Sequence, residues 1–386
     1  MIHWLPQRTQ DIARQAAEFA DEIINPRNEL HIQQKFPPDI WDKLGREGLL
    51  GMNISGDYAG WGCGYLDLAV AGDVLASSGK NLGIVLSWLI HHLTAGVLIQ
   101  NHASNSRQEA HLSSLASGDS TASLAISEPE AGAHPKHMRC RAVRKHGYFV
   151  LNGEKTFLTN APMADLFIVV AVTEETQEGR YFSAFLVPAS SKGLGLTPDI
   201  PVSGLKPSQH AGIRLEDCQV PSDYILGSLN NAYNEIVKPF RDLEDNMLMG
   251  PMAGGMQALL DWAGGEISQK QLKNKEDIES KFAELAAALH SARLMAYEAA
   301  WALDQGVPDS ENLSVLIYFR RTCNWLLSEI DQLCADLEIS PRDRLASLRQ
   351  DLGLVLKLAG NVLDRKKLQM ASSLLAIRPI TDDTKG

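Results

Sequence analysis

Arg241-Asp-Leu-Glu-Asp245 sets three carboxylates, Asp242, Glu244 and Asp245, near the start of a long helical pattern. A carboxylate takes up a proton readily when burial or a neighbouring like charge raises its pKa. The same cluster near a helix N-terminus is also what the helix dipole favours on a solvated face. The residues alone leave both readings open. Two histidine pairs are the other candidates. His134 and His137 stand in His-Pro-Lys-His, with no third ligand nearby in sequence, so no metal site is expected. His91-His92 lies in an apolar run, where a satisfied buried pair and a polar spot facing a site both fit. The chain has no P-loop, no dinucleotide fingerprint and no Cys-x-x-Cys.

The elements that must position these groups fall into three blocks. Residues 1–120 read as helical. Ile12, Ala16, Phe19, Ala20 and Ile23 recur at helical spacing, and Pro26 stops the run. Pro37-Pro38 opens a second helix, Gly48 to Gly64 is a turn region, and Leu66–Ala76 and Leu82–Gln100 give two more helices. Residues 121–228 read as a β-domain. There Tyr148–Leu151 and Thr156–Leu158 flank Asn152-Gly153, which predicts a hairpin turn, and Leu166–Val172 has the unbroken apolar character of a buried strand. Residues 229–386 return to helix over Asn231–Leu260, Asp277–Gln305, Asn312–Leu337 and Pro341–Ile377. The expected fold class is α+β.

At 386 residues the chain supports a large core and two or three domains. Its net charge of −11 makes nucleic acid and anionic membranes poor partners. Five scattered cysteines suggest a reducing compartment. The N-terminus lacks an apolar signal core, and a cytoplasmic location is expected. Leu82 to Ile99 is apolar and long, but Ser87, His91, His92 and Thr94 favour a buried helix over a membrane span.

Ile126-Ser-Glu-Pro-Glu-Ala-Gly-Ala133 followed by Leu151-Asn-Gly-Glu-Lys-Thr-Phe-Leu-Thr-Asn160 resembles the flavin-binding signature of acyl-CoA dehydrogenases. Ala164-Asp165, Phe185-Leu-Val-Pro188 and Leu215-Glu-Asp-Cys-Gln-Val-Pro221 extend the resemblance in family order over about a quarter of the chain. It implies an N-terminal helical domain, a middle β-barrel domain and a C-terminal helical bundle. It implies FAD, with Leu124, Ile126, Ser127, Phe157, Leu158 and Thr159 at the ring and Gly132 and Ala133 near the pyrophosphate. Lys206 and Ser208 fall where members often carry arginine and serine close to the flavin. The last residues hold no glutamate, and Glu244 matches the base position of the isovaleryl type. Asp242 and Asp245 beside it are expected at the substrate.

The implied reaction is α,β-desaturation of an acyl-CoA or acyl-carrier thioester, in fatty acid metabolism. Electron-transfer flavoprotein or a similar acceptor and a homodimer or homotetramer are the implied partners. Two departures keep alternatives open. Gly132-Ala133-His134 replaces Gly-Ser-Asp, and the Arg-x-x-Phe-Gly of the third domain has no counterpart. The alternatives are a flavin monooxygenase or oxidase on the same fold, or a non-catalytic member that has lost FAD.

Overall fold

The computed structural model describes residues 4–130, 132–177, 179–270, 276–307, 309–357 and 360–376. Among these residues six α-helices precede the sheet: α1 (Gln7–Phe19), α2 (Pro38–Arg46), α3 (Tyr65–Gly79), α4 (Leu82–His92), α5 (Gln100–His102) and α6 (Asn105–Ser117). In α1 the residues at helical spacing, Ile12, Ala16 and Phe19, are the buried ones. Pro38 occupies the first turn of α2, where its missing N–H leaves no bond unmade. The Asn81 side chain caps α4 by accepting from the Ile84 N–H at 2.8 Å.

A π-helical stretch, Leu93–Ile99, joins α4 to α5 in one long rod. This rod is the one helix among the described residues long and apolar enough to cross a membrane, yet 89% of its apolar window is buried in the protein. His91 and His92 are wholly buried in it. His91 Nε2 lies 3.0 Å from the Leu115 carbonyl and His92 Nε2 lies 2.9 Å from that of Leu49. Burial pushes their pKa values down to about 4 and about 3, so both are neutral core residues tying α4 to its neighbours.

Eight strands follow among the described residues: β1 (Ala122–Ala125), β2 (Arg141–Arg144), β3 (Tyr148–Thr159), β4 (Leu166–Glu175), β5 (Arg180–Pro188), β6 (Leu194–Leu196), β7 (His210–Pro221) and β8 (Ile225–Leu226). They form one sheet in the order β6-β7-β3-β2-β4-β5-β8, with β1 parallel to the start of β4. Alternation along β4 divides two cores. Phe167, Val169 and Ala171 point into a core enclosed by the sheet itself, together with Phe149, Phe185 and Ile213. Ile168, Val170 and Val172 point the other way, into the core shared with the helices. The sheet is therefore a curled, barrel-like layer whose outer face is seated on helix.

The expected hairpin at Asn152-Gly153 is not a turn. β3 runs straight through it, and the turn lies earlier, at residues 145–147, where Gly147 has φ +85° and the Lys145 N–H donates to Tyr148 O at 2.8 Å. Asn152-Gly153 marks a bulge, with a register shift against β7 between Leu151 and Gly153. Gly153 has φ +144°, and a Cβ there would sit 2.7 Å from Cys140 Cα, so both conformation and space require glycine.

Among the described residues six α-helices close the fold: α7 (Lys238–Met247), α8 (Met249–Gln269), α9 (Glu276–Asp304), α10 (Asp309–Asp336), α11 (Asp343–Lys357) and α12 (Gly360–Ala376). Gly250 and Gly254 let α8 lie directly on α3. A Cβ on either would meet a carbonyl oxygen of α3, that of Ala69 at 2.3 Å or that of Asp73 at 2.0 Å. Buried Asp73 then pins α9 to α3, accepting from Arg293 Nε at 2.6 Å and from the Tyr297 hydroxyl at 2.7 Å.

Candidate active site

A recess of about 560 Å³, the open solvent at its mouth included, forms where the sheet meets α7. β1 and the residues after it contribute Leu124, Ile126 and Ser127. β3 contributes Phe157, Leu158 and Thr159, α4 contributes Ile90, and α7 contributes Phe240, Arg241 and Glu244. Ala133 closes the edge from the intervening loop.

β3 presents its residues through a second irregularity. Between Lys155 and Leu158 the register against β7 shifts again, and Phe157 has φ +56°. A regular strand would put Lys155 and Leu158 on opposite faces; here both are buried, and the Phe157 ring between them is 60% exposed. Left-handed backbone at a bulky residue is strained, and such strain is concentrated at functional sites. Thr159 Oγ1 lies 3.1 Å from His210 Nε2. Burial, then nearby Lys206, pushes His210 down to about 4, so its ring is neutral.

The loop beside the recess is held by a buried ion pair. Lys155 Nζ lies 2.8 Å from Glu128 Oε1, with the lysine side chain 0% and the glutamate 4% exposed. The same Nζ donates to Ile126 O at 3.0 Å, and Glu128 accepts from the N–H groups of Arg139 and Cys140. Thr156 N–H donates to Ser127 O at 2.9 Å. Glu128 and Gly132 exchange both backbone bonds at 2.9 Å, with Gly132 at φ +55°. Ser127 and Ala133 are thereby set at the recess wall, and the Arg241 guanidinium donates to the Ala133 carbonyl, joining α7 to this loop. Gly132 shapes the turn and does not itself line the recess; Ala131 lies outside the described residues.

On α7, Phe240, Arg241 and Glu244 share the face turned to the recess. Glu244 makes no ion pair among the described residues, and its carboxylate looks onto the recess from a site the protein otherwise encloses. Burial first, then the Asp245 charge, opposed by Arg241, pushes its pKa up to about 7. Asp242 and Asp245 occupy another side of the helix. Lys366 binds both, at 3.7 Å from Asp245, and Arg320 Nη2 lies 3.2 Å from Asp245. Burial raises the pKa of Asp245, while Arg320 and Lys366 oppose the shift.

Asp242 and Asp245, expected at the substrate, are not brought to the recess. Their charges are committed to α10 and α12, and neither lines the recess. Lys206 and Ser208 are also not brought to it. Ser208 is buried and accepts from the Ser87 hydroxyl at 2.9 Å, and Lys206 lies in a loop whose carbonyls abut Gly83 at the start of α4. The other expected flavin contacts, Leu124, Ile126, Ser127, Ala133, Phe157, Leu158 and Thr159, do converge there with Glu244. The sequence reading missed Ile90, Phe240 and Arg241, although Arg241 stands one helical turn before Glu244. His134 and His137 stack at 4.9 Å between ring centroids. No group of three or more His, Cys, Asp or Glu suited to a metal occurs among the described residues.

Three family descriptions match in chain order. Acyl-CoA dehydrogenase, N-terminal domain, covers residues 6–119, the middle domain residues 123–218 and the C-terminal domain residues 246–336. Isovaleryl-CoA dehydrogenase, mitochondrial, of Solanum tuberosum is 29% identical over 78% of this chain and 74% of its own length. The 2-methylacyl-CoA dehydrogenase, mitochondrial, of the same plant is 30% identical over 77% and 74%. L-prolyl-[peptidyl-carrier protein] dehydrogenase of Pseudomonas fluorescens is 28% identical over 71% and 74%.

Among solved structures, butyryl-CoA dehydrogenase from Megasphaera elsdenii aligns with a TM-score of 0.85 at 21% identity, over 97% of this chain and 100% of that one. The FAD complex of PigA aligns with a TM-score of 0.84 at 24% identity, over 97% and 99%. The chain belongs to the acyl-CoA dehydrogenase family, whose members are FAD-dependent oxidoreductases.

Proposed function

We propose that this chain is an FAD-dependent dehydrogenase that introduces a Cα–Cβ double bond into a short, branched acyl thioester and passes the electrons to an electron-transfer flavoprotein or similar acceptor. The observation that carries this reading is the position and protonation of Glu244. Its carboxylate faces the same recess as Ser127, Phe157 and Thr159, and its pKa of about 7 matches the working pH of a general base.

The residues present fit FAD. An aromatic ring held exposed by a left-handed backbone gives a flat group something to lie against. Leu124, Ile126 and Leu158 give an apolar wall, with the Ser127 and Thr159 hydroxyls at its edge. When bound, FAD supplies an acceptor for the hydride that leaves the β-carbon. Glu244 takes the α-proton in its ionised form, which rises in population as pH passes about 7. Arg241 fixes α7 against the Ala133 loop and so keeps Glu244 at a set distance from the β3 residues. Lys366 and Arg320 offset the Asp242 and Asp245 charges, so α7 does not present a block of negative charge to an anionic substrate.

The two departures from the family pattern leave an oxygen-using flavoenzyme and a non-catalytic member as the alternatives, and the carboxylate of Glu244 at the recess favours desaturation over both. Anaerobic titration of the FAD-loaded protein with acyl thioesters tests the proposal. Bleaching of the flavin by a branched thioester is expected. Oxygen consumption by reduced flavin with no bleaching by any thioester would replace it with the oxygen-using alternative.

A further inference from the structure

Between residues 131 and 153 the chain carries five Lys or Arg, three His and no Asp or Glu, although its net charge is −11. This segment leaves the recess at Ala133 and runs through β2 into the turn before β3. Lys136, His137, Arg139, Arg141, Arg144 and Lys145 are all exposed. The acids that face them are few. Glu130 lies 3.8 Å from Arg139, and Glu175 lies 2.6 Å from Arg141 and 2.9 Å from Arg180. Lys136, Arg144 and Lys145 have no ion-pair partner among the described residues. In their midst Val143, on the outer side of β2, is 52% exposed.

We infer that this surface docks an acidic carrier protein, which delivers the acyl group to the recess on a phosphopantetheine arm. The inference rests on the dehydrogenase reading above and names its substrate class. Three features of the surface carry it. It begins at the mouth of the site, with Lys136 three residues past Ala133, at most about 11 Å along the chain, and extends away from it along β2, where Arg144 pairs with Phe149, eight residues before Phe157 on β3. It is a positive field on a negative protein, which steers an acidic partner. It mixes an exposed apolar side chain with cations across a whole strand and turn, as protein interfaces do. The phosphates of a free nucleotide would need only the loop at the mouth.

The test uses the full chain loaded with FAD, and the triple variant Lys136→Glu, Arg144→Glu, Lys145→Glu. One branched acyl group is presented as a pantetheine thioester, as a CoA thioester and on a purified acidic acyl-carrier protein. Dye reduction gives kcat/KM for each. In wild type at low salt the carrier thioester is expected to exceed the pantetheine thioester by roughly tenfold or more. The triple variant should lose about that factor on the carrier and keep the pantetheine rate, and raising salt should act on wild type as the variant does. A carrier thioester no better than pantetheine, or equal losses on both, overturns the inference while leaving the dehydrogenase reading intact. A loss confined to the CoA thioester overturns it too and assigns the surface to the nucleotide phosphates. If wild type turns over no thioester in any form, the dehydrogenase reading falls and this inference falls with it.

Discussion

Two glutamates stand beside the recess, Glu128 buried and Glu244 half-buried, and they lose their water in opposite ways. Glu128 meets Lys155 at 2.8 Å and accepts two backbone N–H groups. Glu244 meets no cation at ion-pair distance and opens onto the recess. Enclosure is common to both; the difference is what replaces water. A carboxylate whose lost hydration is replaced by a lysine and two amides is a fastener. A carboxylate whose lost hydration is not replaced has its proton affinity tuned instead, and is available for chemistry.

The contrast breaks first if Glu244→Gln leaves catalysis intact. Flavin reduction by acyl thioester, followed by anaerobic stopped flow, is expected to fall about 10²- to 10⁴-fold, with FAD still bound. Retained turnover would remove Glu244 as the base. The matching test on the other side is Lys155→Met, which leaves the Glu128 charge buried without its partner. Denaturant unfolding should register a loss of about 3–5 kcal/mol. Adding Glu128→Gln should restore a large part of it, because the buried charge is then gone.

The same contrast has a pH signature. Glu244 binds its proton more tightly folded than unfolded, so its contribution to stability is complete below the unfolded carboxyl range and is lost as pH rises to about 7. Glu244→Gln should therefore stabilise the protein by up to about 3 kcal/mol at pH 8 and by almost nothing at pH 4. Thermal melts across that range check it, and a pH-independent difference would contradict the assigned pKa. The wild-type kcat/KM should climb with pH through a limb near 7.

Asp245→Asn is a finer probe. It removes one cause of the raised Glu244 pKa, so the limb should move to lower pH, by less than about one unit against the burial that remains. The smallest effects separate the two serine and threonine positions. Thr159→Val should weaken FAD retention by about 1 kcal/mol in a binding titration. Ser208→Ala should cost about as much in stability and nothing in FAD affinity, because its hydroxyl is bonded to Ser87 away from the recess.

Much of this was legible in the residues. The apolar run of β4 and the helical spacing of α1 announce their elements, because burial on a fixed period leaves its mark in sequence. The place of Glu244 beside the expected flavin contacts was legible because its register is continuous with the isovaleryl pattern. The roles of Asp242, Asp245 and Ser208 were not, since their partners are remote. Lys366 is 124 residues from Asp242, Arg320 is 75 from Asp245, and Ser87 is 121 from Ser208. Asn152-Gly153 misled for a different reason. A hairpin turn and a strand bulge both need a residue tolerant of positive φ, so the dipeptide marks the backbone conformation without saying which of the two will use it.

The two irregularities in β3 also make its length a gauge. From Gly153 to Thr159 the chain is kept in phase by bulges rather than by simple alternation, and that phase decides which side chains go inward. A deletion or insertion of one residue in this stretch would turn the segment over like a slipped gear tooth. Lys155 would swing out of reach of Glu128, and Phe157 would be driven toward the barrel interior. A substitution at an exposed position of this stretch leaves the phase intact, but the loss or gain of a single residue would dismantle the recess and its fastener together. Natural length variation in this domain is therefore expected at the outer turns, such as residues 145–147, and not within the strand.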